Sequence, residues 1–348
     1  MIEIHVDDAP AIRDGVCHVI AEAGANHNNS VERAIEMARL ASKAGAWGVK
    51  YQLYRADSIS VPSSPKYWTD SIGTETQYEA FKLSDHLPYS EFAKVAEACR
   101  SLGIVFFATP FDLEAVEALE AMRAPVYKVA SADITFKPLL EAISATGKPL
   151  FLSTGAATVE EIHQAIDWLG YGPDKLVLLA CTLTYPTPDE DGNFARLEVM
   201  RREFSPFMIG MSDHTLGVAG AWMTAALGGV AIEKHYTIDK SLPDVPDHAM
   251  SVDPDQLAEM VEACKRGATL RGAGHIGVRD SELPARKLAR RSIVLEKSLG
   301  AGHQLTREDL GFKRPGTGLA PEFSDQIIGR RLQAGLERGT ILEWDMLI

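Results

Sequence analysis

The chain has 348 residues, 46% of them hydrophobic, and a formal net charge of −13. That length supports a large core and more than one domain, and the acidic balance argues against nucleic acid as a partner. No apolar run reaches the ~18 residues a membrane span needs, and Met1–Asp8 lacks the basic and apolar segments of a signal peptide. A cytoplasmic protein without membrane partners is therefore expected. Four scattered cysteines, Cys17, Cys99, Cys181 and Cys264, show no CxxC spacing and read as buried thiols.

In chain order, strand-like and helix-like segments alternate over the first ~270 residues. Strand His18–Ala23 precedes helix Ser30–Ala44, and strand Trp47–Tyr51 leads, past a long insertion, to helix Ser90–Ser101. Ile104–Ala108 is followed by Asp112–Ala121, Val126–Ala130 by Phe136–Thr146, and Pro149–Leu152 by Val159–Leu169. Strands Leu176–Cys181 and Phe207–Met211 come next, then helix Gly217–Leu227, strand Val230–Lys234 and helix Asp253–Arg271. Ser30, Ser90 and Thr158 have the chemistry of N-caps. Eight such units predict a (β/α)8 TIM barrel over residues 1–271. A doubly wound sheet would require a glycine-rich loop after the first strand, and Ala23-Gly24-Ala25-Asn26-His27 is not one.

The insertion Ser58–Leu87, with Pro, Ser, Trp and Tyr, is expected to shape a substrate pocket. Residues 272–284 read as a linker, and 285–348 as a small, mostly β second domain. From Ala285 to Ile348, 11 Lys and Arg stand against 8 Asp and Glu, so this tail is basic on an acidic body. Such a tail suits docking between subunits or supplying cations to an anionic ligand.

Each predicted strand ends in polar residues: Glu22; Lys50 and Gln52; Thr109; Lys128 and Ser131; Ser153 and Thr154; Thr182 and Tyr185; Ser212 and His214; Glu233 and His235. That is the rim where TIM barrels place their active sites. Two lysines among Ser and Thr hydroxyls suit a phosphate or carboxylate, and Ser153-Thr154-Gly155 adds backbone N–H groups. Either lysine alone also fits a Schiff base or a snorkelling surface group. His214 and His235, each beside a carboxylate, fit either satisfied core histidines or an open divalent-metal site; the strand-end position favours the metal.

Taken together, these residues resemble the sialic acid (N-acetylneuraminate) synthase family, which condenses phosphoenolpyruvate with an N-acyl hexosamine to give nonulosonic acids. The resemblance runs nearly end to end. It includes Ile20–His27, Val49-Lys50-Tyr51-Gln52, Ala108-Thr109-Pro110-Phe111, Tyr127–Ser131, Leu152-Ser153-Thr154-Gly155, Tyr185-Pro186, Gly210–Thr215 and Glu233-Lys234-His235. Lys313–Gly318 resembles the family's antifreeze-like (SAF) domain. The resemblance implies that Lys50, Thr109, Lys128, Ser131, Ser153 and Ser212 grip phosphoenolpyruvate. It makes His214 and His235 metal ligands, with Mn²⁺ first and Mg²⁺ or Co²⁺ as alternatives. Glu22 would sit beside the reacting atoms, Gln52, Tyr185 and Asp247 would face the sugar, and Arg314 would reach into the other subunit of a domain-swapped homodimer. Phosphate would leave by C–O cleavage.

Three departures from the family pattern bear on the sugar: Leu183 and Thr184 ahead of the Tyr-Pro pair, Tyr51 where some members have His, and no aromatic residue in Lys287–Arg290. N-acetylmannosamine, precursors of legionaminic or pseudaminic acid, and a spore-coat polysaccharide precursor all stay open as acceptors. The competing readings are a Schiff-base aldolase using Lys128, a synthase acting on a phosphosugar, and a non-catalytic carbohydrate-binding relative.

Overall fold

In a computed structural model, residues 2–68, 73–242 and 245–348 are described. The chain divides into two compact units, Met1–Ala273 and Gly274–Ile348.

In the first unit eight strands form one parallel sheet: β1 (His18–Gly24), β2 (Gly48–Leu53), β3 (Val105–Pro110), β4 (Tyr127–Val129), β5 (Leu150–Ser153), β6 (Leu176–Cys181), β7 (Met208–Asp213) and β8 (Ala231–His235). Their hydrogen-bonded order is β3-β2-β1-β8-β7-β6-β5-β4. The two ends, β3 and β4, pack beside each other and close the run into a TIM-like barrel.

Strand side chains alternate between the two faces. Residues on one register, including Ile20, Phe107, Val126, Phe151, Leu179 and Ala231, fill the barrel interior. Those on the other, including Val49, Tyr51, Tyr127, Leu152, Leu178 and Ile232, pack under the helices. Gly210 sits on the inward register because there is no room for more: a Cβ would approach Leu179 Cδ2 to 2.7 Å. An antiparallel hairpin, Glu3–Ile4 with Ile12–Arg13, places Ile4, Val6 and Ile12 in the interior cluster at the amino-terminal end of the strands.

Eight helices cover the strands: α1 (Val31–Ala44), α2 (Phe92–Leu102), α3 (Leu113–Ala121), α4 (Lys137–Thr146), α5 (Val159–Leu169), α6 (Arg196–Glu203), α7 (Ala219–Ala226) and α8 (Pro254–Arg271). Ser30 caps α1 by accepting from the Arg33 amide at 3.2 Å, and Thr158 opens α5 in a capping box with Glu161. Ser90 does not cap α2; it lies within a 3-10 turn, Tyr89–Glu91, and the helix begins at Phe92. Helix α6 escapes a sequence reading because its buried stripe is only Leu197 and Met200. No helix of the described residues is long and apolar enough to cross a membrane.

The insertion after β2 carries two short helices, Ala56–Ile59 and Gln77–Lys82, the second opened by a capping box at Thr76. Residues 69–72 of this insertion lie outside the described residues.

The second unit pairs β9 (Ser292–Leu295) antiparallel with β10 (Leu310–Lys313), and isolated bridges such as Val294 to Ile341 extend the pairing. Ile293, Leu295, Leu305, Ile327, Leu332 and Leu342 form its own small core. Most of 272–284 falls in this unit, and a helix follows at Leu283–Ala289.

Candidate active site

Along each strand the inward register turns from apolar to polar near the carboxyl end. Ile20 is followed by Glu22, Phe107 by Thr109, Val126 by Lys128, Phe151 by Ser153, Leu179 by Cys181 and Ala231 by Glu233. The second residue of each pair, with Lys50, Gln52, Phe111, Ser131, Tyr185, Ser212, His214 and His235, lines one cleft.

Two buried lysines dominate one part of it. Lys50 Nζ lies 2.7 Å from Glu22 Oε2 and donates to Thr109 Oγ1 at 2.9 Å. Gln52 donates to the other Glu22 oxygen at 2.7 Å, so the carboxylate is held from two sides. At Gly24 the chain bends out of register with β2, and its φ of +50° is what favours glycine there. Lys128 Nζ sits 3.7 Å from Glu233 Oε1, which also accepts from Ser212 Oγ at 3.1 Å. Burial pushes the Lys128 ammonium down against the pull of Glu233. Burial pushes Glu233 up, but Lys128, Lys50 and both imidazoles outweigh it and hold the carboxyl below its usual range.

Hydroxyls complete this anion-facing surface. Ser131 Oγ accepts from the Gly155 amide at 2.8 Å, and Ser153 Oγ is buried with no hydrogen-bond partner among the described residues. A buried hydroxyl left unpaired costs free energy unless a ligand satisfies it. Thr154 instead donates to the Leu179 carbonyl at 3.0 Å, which takes it out of the cleft.

The imidazoles occupy the neighbouring part. Their ring centroids are 5.4 Å apart, and Tyr185 lies over His214 at 4.2 Å. His214 Nδ1 is 2.9 Å from the Thr182 carbonyl, a contact that requires the proton on Nδ1 and leaves Nε2 with its lone pair. His235 Nδ1 is 3.2 Å from Asp247 Oδ2, an ion-pair contact rather than an aligned hydrogen bond. Burial pulls His235 down, but Asp247 outweighs it and raises the imidazole above its ordinary value. Among the described residues no third His, Cys, Asp or Glu completes a metal-binding group. Two buried imidazoles fit an open divalent-metal site, a bound cation displacing any proton from the ring nitrogens that hold it.

Sequence reasoning missed Cys181, a buried thiol 3.9 Å from His214 Nδ1. Its signal was its place on the inward register, level with Ser212. Conversely, Asp213 and Tyr51 face away from the cleft. Asp213 pairs with Lys234 in the helix layer, and Tyr51 donates to the Ala34 carbonyl at 2.7 Å. Arg314 follows β10 in the second unit and is exposed.

Comparison with known proteins agrees with this geometry. Residues 37–275 match the NeuB family, and residues 290–348 match the SAF domain. The N,N'-diacetyllegionaminic acid synthase of Legionella pneumophila is 38% identical over 94% of both chains. The pseudaminic acid synthase of Campylobacter jejuni is 32% identical over 93% of this chain and 95% of its own. The crystal structure of the N-acetylneuraminic acid synthetase of Leptospira borgpetersenii, in complex with citrate, superposes with a TM-score of 0.73 at 29% identity, covering 81% of this chain and 94% of that one. The chain belongs to the NeuB family of nonulosonic acid synthases, enzymes of the transferase class, and carries a SAF domain at its carboxyl-terminal end.

Proposed function

We propose that the cleft condenses phosphoenolpyruvate with the open-chain aldehyde of an N-acyl hexosamine and releases phosphate by C–O cleavage. The observation that carries this reading is the convergence of two buried lysines and two buried imidazoles in one cleft. In this reading Lys50, Lys128, Thr109, Ser131, Ser153 and Ser212 hold the phosphate and carboxylate, and the unpaired Ser153 hydroxyl gains its missing partner. Preset cations need little reorganisation as charge shifts to the leaving phosphate.

The methylene carbon of the enol attacks the aldehyde carbon, the aldehyde oxygen takes up a proton to become a hydroxyl, and the adjacent carbon becomes cationic. Water adds its oxygen there and gives up one proton. Phosphate then departs with the electron pair of its C–O bond as the new hydroxyl gives up its proton, leaving the ketone. Glu22, held by Lys50 and Gln52, is the carboxylate placed beside these atoms to take or return a proton. A divalent cation at His214 and His235, Mn²⁺ first among candidates, would supply Lewis acidity to the aldehyde oxygen. Gln52, Tyr185 and Asp247 face the sugar. The proposal includes a homodimer in which Arg314 serves the acceptor site of a second copy.

The likeness to the Legionella enzyme puts a diacetamido sugar first among acceptors, and N-acetylmannosamine next. The test is phosphate release from phosphoenolpyruvate across a panel of such sugars, with Mn²⁺ and with chelator. Metal-dependent release with one acceptor supports the reading. Release that ignores both sugar and chelator overturns it.

A further inference from the structure

Asp213 and Lys234 stand beside His214 and His235 in sequence, yet the proposed chemistry uses neither. Both lie on the outward register of β7 and β8, where they face each other as cross-strand partners. Each side chain is only 1% exposed, and Lys234 Nζ lies 2.7 Å from Asp213 Oδ2. Lys234 also donates to the Thr215 carbonyl. The other Asp213 oxygen accepts from the Thr215 amide at 2.9 Å and from its hydroxyl at 2.8 Å. Helix α7 closes over this cluster, and a Cβ at Gly220 would collide with the Asp213 carboxylate.

The ladder of β7 ends at Asp213, so His214 is one residue beyond it. Beyond the ladder the His214 carbonyl accepts from the Thr187 amide at 2.8 Å. The cluster adds a second restraint, on the residues to either side of it. It ties the residues on either side of His214 to each other and to the residue before His235. Packing alone does not call for charges here, because an apolar pair of similar volume is often as stable as a buried ion pair.

We infer that Asp213 and Lys234 are positioning residues that hold the two imidazoles at the separation needed to share one divalent cation. This rests on the metal reading of His214 and His235.

The test is calorimetric titration of Mn²⁺, and separately of phosphoenolpyruvate without metal, into the full chain and its variants. The double variant Asp213→Asn/Lys234→Met removes both charges together. It is expected to bind Mn²⁺ roughly 10–100-fold more weakly, the usual effect of losing a residue that orients a ligand, with phosphoenolpyruvate affinity unchanged. Unchanged Mn²⁺ affinity in the folded double variant overturns the assignment, as does an equal loss of both ligands. If the double variant does not fold, Lys234→Arg decides by the same split. Absence of Mn²⁺ binding to the unaltered protein overturns the metal reading and this role together, whereas a change confined to neither ligand overturns this role alone.

Discussion

The two ends of the barrel are made from the same eight strands and are opposite in chemistry. At the amino-terminal end the inward residues are Ile20, Phe107, Val126, Phe151 and Val177, joined by Ile4, Val6 and Ile12 of the hairpin. Two residues further along, the same register delivers Glu22, Thr109, Lys128 and Ser153 to the cleft. A pleated strand needs only one step of two residues to pass from core to catalytic surface. Stability and chemistry are thus stacked in layers, and substitutions should separate them.

The sharpest separation is expected at the mouth. His214→Ala and His235→Ala should each reduce phosphate release by about 10³-fold or more, the scale of losing a transition-state contact, while shifting Tm little. Thermal melts beside initial rates check this; full activity of either variant in chelated buffer breaks the metal assignment. At the other end, Phe107→Ala should cost about 3–5 kcal/mol of stability through the cavity it leaves. Denaturant titration measures that loss, and phosphoenolpyruvate affinity per folded molecule should stay as it was. Equal damage to binding would mean the layers are coupled.

Ser153→Ala is a smaller and more selective change. It removes a buried hydroxyl with no hydrogen-bond partner among the described residues, so stability should hold or rise slightly, while KM for phosphoenolpyruvate rises about tenfold, the worth of one hydrogen bond to a charged group. Steady-state kinetics and a melt on the same sample decide it.

The most condition-dependent effect is at Asp133, just past β4. Burial raises its carboxyl to about 6, with Lys128 pulling the other way. The folded state then holds its proton more tightly than the unfolded state, so stability falls as pH climbs from about 4 to about 6. Asp133→Asn should raise Tm at pH 8 and leave it nearly unchanged at pH 4. A uniform shift at both pH values would place the effect in packing instead.

Much of this was legible in the sequence because TIM-barrel logic is local: a short apolar run, then a polar pair, then a capped helix. All eight strands and the ring Glu22, Lys50, Lys128, Ser153, Ser212 and Glu233 follow from that pattern. What failed to show is what depends on facing. Asp213 reads as a site carboxylate, yet period-two alternation turns it outward to Lys234. Cys181 reads as inert, yet it lines the cleft. Asp247 comes from a loop between β8 and α8, and nothing near it in sequence announces that it meets His235. Ser90 has the chemistry of a cap, but the chain had already turned at Tyr89.

The hairpin that seals the barrel's amino-terminal end has a consequence for traffic. Ile4, Val6 and Ile12 fill the amino-terminal end, so among the described residues the cleft opens at the strands' carboxyl ends. Lys50 and Lys128 lie on the lower tier of that well, and Gln52, His235, Tyr185 and Asp247 stand at or above its upper tier. Whatever the lysines hold is covered by whatever the upper tier holds. The order expected from this stacking is last in, first out, and product-inhibition kinetics check it.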